Sequence, residues 1–561
     1  MAMRASGMAL LVLSMLSGCA ASDFGADDAP GRSRFEPSGA FGAYLTGRFA
    51  AQESDLETAA SKLEQAARDS GTREVATQAF IAAVMAGRPE AAQLAAGLPD
   101  NPVAQLVLAD EDARAGRWED AEARYSVLPQ QGMTQAMRPL LVAWAESGSG
   151  RTAAALGTLQ PFIDAGRLRA ITNLHAALIA DLGGQADKAA RLYRAAQVEY
   201  GALNLRLGVI LASWQARRGS LVEAQQTIRE LTGSNGDLAT ARLALEADVS
   251  RHAVRNATDG IAETYLAMAA TLRQQNAADL ARLLLRRALV MRPDFTAARL
   301  LLSEMQTLEH QDDAALGTLA PVAADDPLAA VVRLRQAALQ EELGHTAAAD
   351  KMLETMAEQF PDRPEPLAQL GDSLRRSGRF SEAVKVYDRA VARLGTPNRQ
   401  SWPLFYERGV AHERAGQWPE AEADFQFALR LAPDQPSILN YLGYAWTEQG
   451  RNLSEARQMI ERAVELRPND GAFIDSLGWA QLRQGDGPGA LKNLEKAVEL
   501  QPEDPVINGH LGDALAAVGR WREAEFQWRR ALNLKPEPDD ARRIESKLAS
   551  LPAATAVSTV R

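Results

Sequence analysis

The chain has 561 residues, a length that calls for several domains or for one repetitive architecture. Its 46% hydrophobic and 24% charged content excludes broad disorder, and 61 basic against 72 acidic residues, net charge -11, leave no basic footprint for nucleic acid. A single Cys excludes an intramolecular disulfide and any Cys-based zinc site, and six scattered His offer little for a histidine cluster, so neither metal nor cofactor is expected.

At the start of the chain, Arg4 precedes an apolar run, Met8 to Leu16, of signal-peptide length and too short to span a bilayer. The run ends in Leu16-Ser17-Gly18-Cys19, where the one Cys sits. This segment resembles the bacterial lipobox, which implies a signal peptide over 1–18 and a mature protein lipidated at Cys19. By the same resemblance, Ala20 in place of Asp favours anchoring in the outer membrane, facing the periplasm. Residues 19–38 carry small, charged, Pro- and Gly-bearing sequence without an apolar period and read as a flexible tether with a reach of roughly 25 Å.

Residues 39–231 read as an N-terminal helical-repeat arm. Residues 40 to 100 are helical by period but loosely patterned, with Ala60 and Ala91 as repeat counterparts. Ala121, Ala155, Ala189 and Ala224 then recur at intervals of 34, 34 and 35, with Tyr125, Leu159, Tyr193 and Ile228 four residues beyond each. The next interval, Ala224 to Ala281, is 57 residues and holds two Gly/Asn turn signals, so an irregular junction is placed at 232–260.

A C-terminal repeat arm covers 261–548. Ala281, Ala315, Ala349 and Ala383 step by 34, and Leu394 to Pro403 lengthens one connection. Beyond it three residue types share one period: Gly409, Gly443, Gly478 and Gly512; Ala421, Ala456, Ala490 and Ala524; Pro433, Pro468, Pro502 and Pro536. Residues 549–561 have no helical period and are expected to be disordered.

The period has an internal grammar. In Gly409 to Pro433 a first helix ends at Ala415-Gly416-Gln417, where the backbone must turn left-handed, and a second begins near Pro419, carries Ala421, Phe425 and Ala428, and stops before Pro433. Small residues at Gly409 and Ala421 let two antiparallel helices touch, and Trp418 and Phe425 fill the space toward the next repeat. A helix of about a dozen residues is marginal alone, so hairpins must stack. The pattern resembles the tetratricopeptide repeat, which implies an all-α fold: a right-handed α-solenoid of about twelve or thirteen helical hairpins.

Catalytic constellations are missing. There is no HExxH, GxSxG elbow, Walker A loop or SxxK; the run GDGPG at Gly485 to Gly489 reads as a turn between paired helices, and acidic pairs such as Glu420/Glu422 read as solvated helix faces. His412 and His510 fall on first helices and read as packed or surface imidazoles. An enzyme is not expected.

Resemblance to the tetratricopeptide family places the first helices on the inner surface and its contact positions at Asp372, Arg375, Arg376, Tyr406, Arg414, Asn440, Tyr444, Glu448, Asp475, Trp479, Arg483 and Asp513. Tyr444 and Trp479 beside Arg and Asp have the composition of an interface hot spot; the competing reading packs both against the next repeat's first helix. The phrases LNYLGYAWTEQG, IDSLGWAQLRQGD and HLGDALAAVGRWREAEFQWRRAL are similar to the C-terminal repeats of exported proteobacterial tetratricopeptide lipoproteins. That family includes the periplasmic adaptor that delivers cell-wall hydrolases to a carboxyl-terminal processing protease. The resemblance implies a lipid-anchored scaffold or adaptor with such a protease and hydrolases as protein partners. The alternative is a structural part of an envelope export or outer-membrane assembly machine.

Overall fold

The computed structural model describes residues 39–551 other than 54, 167, 234 and 235. The expected signal peptide, Cys19, the tether, and residues 552–561 of the expected tail lie outside the described residues. Every regular element among the described residues is helical, with no strand. Contacts divide the chain into two compact units, with the division after Pro99.

The first unit holds two antiparallel pairs, Ala40–Gln52 with Leu56–Ser70 and Arg73–Ala86 with Ala91–Ala96. Asp55 caps the second helix by accepting the Thr58 N–H. Its core is built from small residues around Leu63, with Ala60, Ala79 and Ala82 buried beside it. Gly47 lies against Leu63 so closely that an added Cβ would come within 2.7 Å of Leu63 Cγ.

The second unit holds twelve further pairs, from Pro102–Arg114 with Trp118–Ser126 to Pro505–Ala517 with Trp521–Asn533, followed by one more helix, Pro538–Ala549. Together with the two of the first unit they exceed the expected twelve or thirteen. The 232–260 junction contains the short helices Gly236–Ala239 and Arg242–Asp248 and the first turn of Ala257–Gln274. The fold class is the all-α solenoid of helical hairpins expected from the repeat period.

Side-chain size explains the pairing. All twelve periodic alanines from Ala121 to Ala524 have no exposed surface. Facing them, a Cβ on Gly371, Gly409, Gly443, Gly478 or Gly512 would meet Tyr387, Phe425, Ile460, Leu494 or Trp528 at 2.4 to 2.8 Å. Each of these five hairpins therefore seats one large side chain of its second helix over a bare patch of its first. Phe425 does more than bridge to the next repeat: its ring covers Gly409 of its own hairpin and lies 5.1 Å from Tyr441 of the next. Gly416, at φ +79°, makes the left-handed turn between the two helices. The GDGPG run is such a turn too, with Asp486 accepting the Gly489 N–H at 3.0 Å.

After the junction the chain does not simply extend the stack. Helix Ala257–Gln274 lies against Gly132–Gly148 and Arg169–Leu182, the first helices of two earlier pairs. Gly260 is the point of closest approach, and a Cβ there would sit 2.3 Å from the Trp144 ring. The Trp144 indole donates to His175 Nδ1 at 2.9 Å, and burial pushes that imidazole down to about 3, so it stays neutral and accepts. A second tie is fully buried: Arg287 Nε donates to Asp110 at 2.7 Å, and the hydroxyls of Tyr125 and Tyr265 donate to the same carboxylate at 2.7 and 2.5 Å. Burial pushes the Asp110 carboxyl up, and Arg287 and the two phenols offset this in part. At the same face Arg206 pairs with Glu263, and Ser213 Oγ donates to the Arg251 carbonyl at 2.5 Å.

Ala490→Leu is expected to lower stability by about 1 to 3 kcal/mol through overpacking of one hairpin, read from thermal melting; an unchanged melt contradicts the close approach of Gly478 and Ala490. Asp110→Ala should cost about 3 to 5 kcal/mol by leaving Arg287 buried and unpaired, whereas Asp110→Leu combined with Arg287→Met should cost clearly less. Chemical denaturation of the three chains checks the order.

Candidate protein-interaction face

The first helices of the later pairs, Glu365–Arg376, Trp402–Arg414, Pro436–Glu448, Gly471–Arg483 and Pro505–Ala517, carry all twelve expected contact residues. Consecutive first helices touch along this side. Helix Ala257–Gln274 lies on the first helices Gly132–Gly148 and Arg169–Leu182 of two earlier pairs.

Five of the expected residues come together with His510. The Trp479 indole stacks on the His510 imidazole, ring centres 4.2 Å apart and planes 15° from parallel, and donates to the Glu448 carboxylate. The Arg483 guanidinium lies 5.7 Å over the Trp479 ring and 3.8 Å from Glu448. Asp475, only 5% exposed, accepts from His510 Nδ1 at 2.9 Å. The Tyr444 ring stands 6.5 Å from His510. The result is a ladder across three consecutive first helices. Trp479 is half-buried, stacked on His510 of the next repeat with the Arg483 guanidinium over its ring.

The electrostatics follow from this packing. Burial alone pushes His510 down, but the Asp475 carboxylate outweighs it and raises the imidazole above its ordinary value. Burial, with Glu448 and Asp475 nearby, pushes the Tyr444 phenol up.

The remaining expected residues are distributed along the same side without joining the ladder. Asp372 accepts from the Tyr387 hydroxyl, Arg375 pairs with Glu407 at 3.1 Å, and Arg376 pairs with Glu341 of the preceding hairpin. Tyr406 belongs to an aromatic cluster with Trp402, Phe425 and Tyr441, and burial pushes its phenol up to about 12. Arg414 is exposed, its guanidinium 5.0 Å over the Phe380 ring. Asn440 is half-buried, and its Oδ1 is buried without a hydrogen-bond partner. Asp513 is engaged inside the chain: it accepts from the Trp528 indole at 3.0 Å and from Lys547 Nζ at 2.6 Å, which ties down the last helix.

Three contributors escaped the sequence reading. His510 read as an ordinary packed imidazole, which in burial it is, but its ring is the platform for Trp479. Lys547 and Arg543 were not singled out, although Pro538 with Asp539 and Asp540 marks a helix start that carries both basic residues toward the preceding repeats. Among the described residues no three His, Cys, Asp or Glu side chains are grouped to hold a metal ion, and no helix is long and apolar enough to cross a membrane.

Residues 334–398 and 406–471 match one family model described as tetratricopeptide repeat, and residues 481–548 match a second with the same description. The TPR repeat-containing protein PA4667 of Pseudomonas aeruginosa is 37% identical over 82 residues. That match spans 15% of this chain and 14% of the relative's length. Among solved structures, the Cut9 and Hcn1 hetero-tetramer of the APC/C aligns at 14% identity over 90% of this chain and 95% of that one, with a TM-score of 0.39. A tetratricopeptide repeat protein from Parabacteroides merdae aligns at 14% identity over 45% and 96% of the two chains, with a TM-score of 0.36. YrrB, described as a TPR protein with an unusual peptide-binding site, aligns at 19% identity over 35% and 97%, with a TM-score of 0.28.

For a raised histidine the sign is fixed: the Asp475 contact stabilises fully below the unfolded-state value near 6.5 and is lost as pH rises through the higher folded value. The stability difference between the natural chain and Asp475→Asn should therefore be larger at about pH 6 than at about pH 9, as measured by chemical denaturation. The later hairpins of this chain are tetratricopeptide repeats, and they present one continuous first-helix face of the kind that binds protein.

Proposed function

We propose that the chain is a lipid-anchored scaffold or adaptor of the periplasm that holds a protein partner along the first-helix face of residues 402–517. The observation that carries this reading is the ladder Glu448, Trp479, His510 and Asp475, with Tyr444 and Arg483 beside it. Trp, Tyr and Arg are the residues that dominate binding energy at interfaces, and here their geometry is set in advance by hydrogen bonds within the chain. A partner meeting this face finds aromatic surface whose rotamers are already fixed. The anchor is inferred from Leu16 to Cys19 and the periplasmic side from the apolar run before it.

For the partner we assign a carboxyl-terminal processing protease together with its cell-wall hydrolase substrates, on the likeness of the C-terminal repeat phrases to exported adaptor lipoproteins. Holding enzyme and substrate on one anchored scaffold raises their local concentration without catalysis by the scaffold. Crosslinking and affinity purification of the intact lipoprotein, followed by mass spectrometry, tests both statements. The natural chain should recover a periplasmic protease, and recovery of none removes that partner. Trp479→Ala should reduce capture by about tenfold or more, with a smaller loss of melting temperature than Ala490→Leu; undiminished capture removes the face.

A further inference from the structure

The first described helix, Ala40–Gln52, has its faces reversed relative to an ordinary surface helix. Its packed side is made of small residues, with Ala43, Gly47 and Ala50 buried against the second helix. Its outer side carries Phe41 at 74% exposure, Leu45 at 47% and Phe49 at 63%. Spacings of four place these three on one stripe along two turns of helix. Scattered exposed apolar residues are unremarkable, but three large ones in line are not.

The same helix holds Arg48 and no acidic residue, in a chain of net charge -11. Arg48 lies at the edge of the stripe, donates to the Tyr44 hydroxyl at 3.1 Å, and has its guanidinium 5.9 Å over that ring. Aromatic and aliphatic side chains on one side with a basic residue at the margin suit the boundary between lipid headgroups and acyl chains, where the rings are buried and the cation meets phosphate. Nineteen residues, 20–38, separate Gly39 from Cys19 in the sequence.

We propose that the stripe Phe41, Leu45 and Phe49, with Arg48 beside it, lies in the interfacial layer of an anionic bilayer and serves as a second membrane contact next to the lipid anchor. The proposal rests on the anchor reading for its choice of occupant. One acyl chain gives marginal, reversible binding, and an adjacent apolar and basic patch is the kind of second signal that makes attachment stable and gives it an orientation.

The test uses the mature lipoprotein, in which a lipidated Cys19 leaves an introduced thiol unique. Leu45→Cys and, as a control on the exposed side of the second helix, Ser61→Cys are each labelled with an environment-sensitive dye. Each is reconstituted in phosphatidylethanolamine and phosphatidylglycerol vesicles containing doxyl-labelled lipid. Quenching at position 45 is expected to exceed that at 61 several-fold and to fall to the control level when Phe41→Ser and Phe49→Ser are added. Equal quenching at the two positions overturns the proposal. So does an unquenched label at 45 with doubled mass in sedimentation, which assigns the stripe to a second copy of the chain. The anchor fails separately, by an intact mass without acyl groups. In that case Cys19→Ser keeps the label single, and the same comparison at saturating vesicle concentration decides the stripe.

Discussion

Most of this architecture depends on the contact between a glycine or alanine on one helix and a large side chain on the helix that folds back over it. Where Gly512 meets Trp528 or Gly371 meets Tyr387, one additional methyl group has nowhere to go. Because the helices approach closely, their second sides are brought within reach of the next hairpin, and the contact repeats. Helices of 12 to 15 residues hold their shape through these contacts, since alone they are too short to persist.

A chain built only from such neighbour contacts would be a uniform stack, with stability summed repeat by repeat. Helix Ala257–Gln274 breaks that uniformity. It crosses back to earlier first helices and fastens there through Gly260 on Trp144 and through the Asp110, Arg287, Tyr125 and Tyr265 group. Part of the early first-helix side is thereby occupied by the chain itself, and the half-buried aromatic and charged side chains around Trp479 are its counterpart in the later repeats.

The period was legible because steric exclusion acts on composition directly: a position that admits only Ala or Gly shows itself at every recurrence, from Ala121 to Ala524. The break in period between Ala224 and Ala281 shows in the sequence, but not the direction the chain takes afterwards. Nothing local in ATDGIAETYLAMAATLRQ distinguishes a helix that continues a stack from one that folds onto it, because Gly260 matters only through a Trp more than a hundred positions earlier. The candidate face was half legible. Tyr444, Asp475, Trp479 and Arg483 follow from register, whereas the His510 platform depends on curvature that brings neighbouring first helices to stacking distance. Arg376 and Asp513 occupy the right positions and are drawn into ion pairs with Glu341 and Lys547, partners that register alone does not reveal.

The bond between Asp110 and Arg287 spans 177 positions. During synthesis the early hairpins therefore emerge long before the side chains that complete them, with Asp110 and the Tyr125 phenol waiting for the Tyr265 phenol and the Arg287 guanidinium. Distant closure of this sort slows folding relative to a stack assembled from adjacent units. In the interval, the surface that Ala257–Gln274 finally covers is open to whatever is nearby. This chain thus needs protected passage more than a uniform solenoid of equal length, and a nascent fragment ending before residue 257 is the species most prone to associate with its own kind.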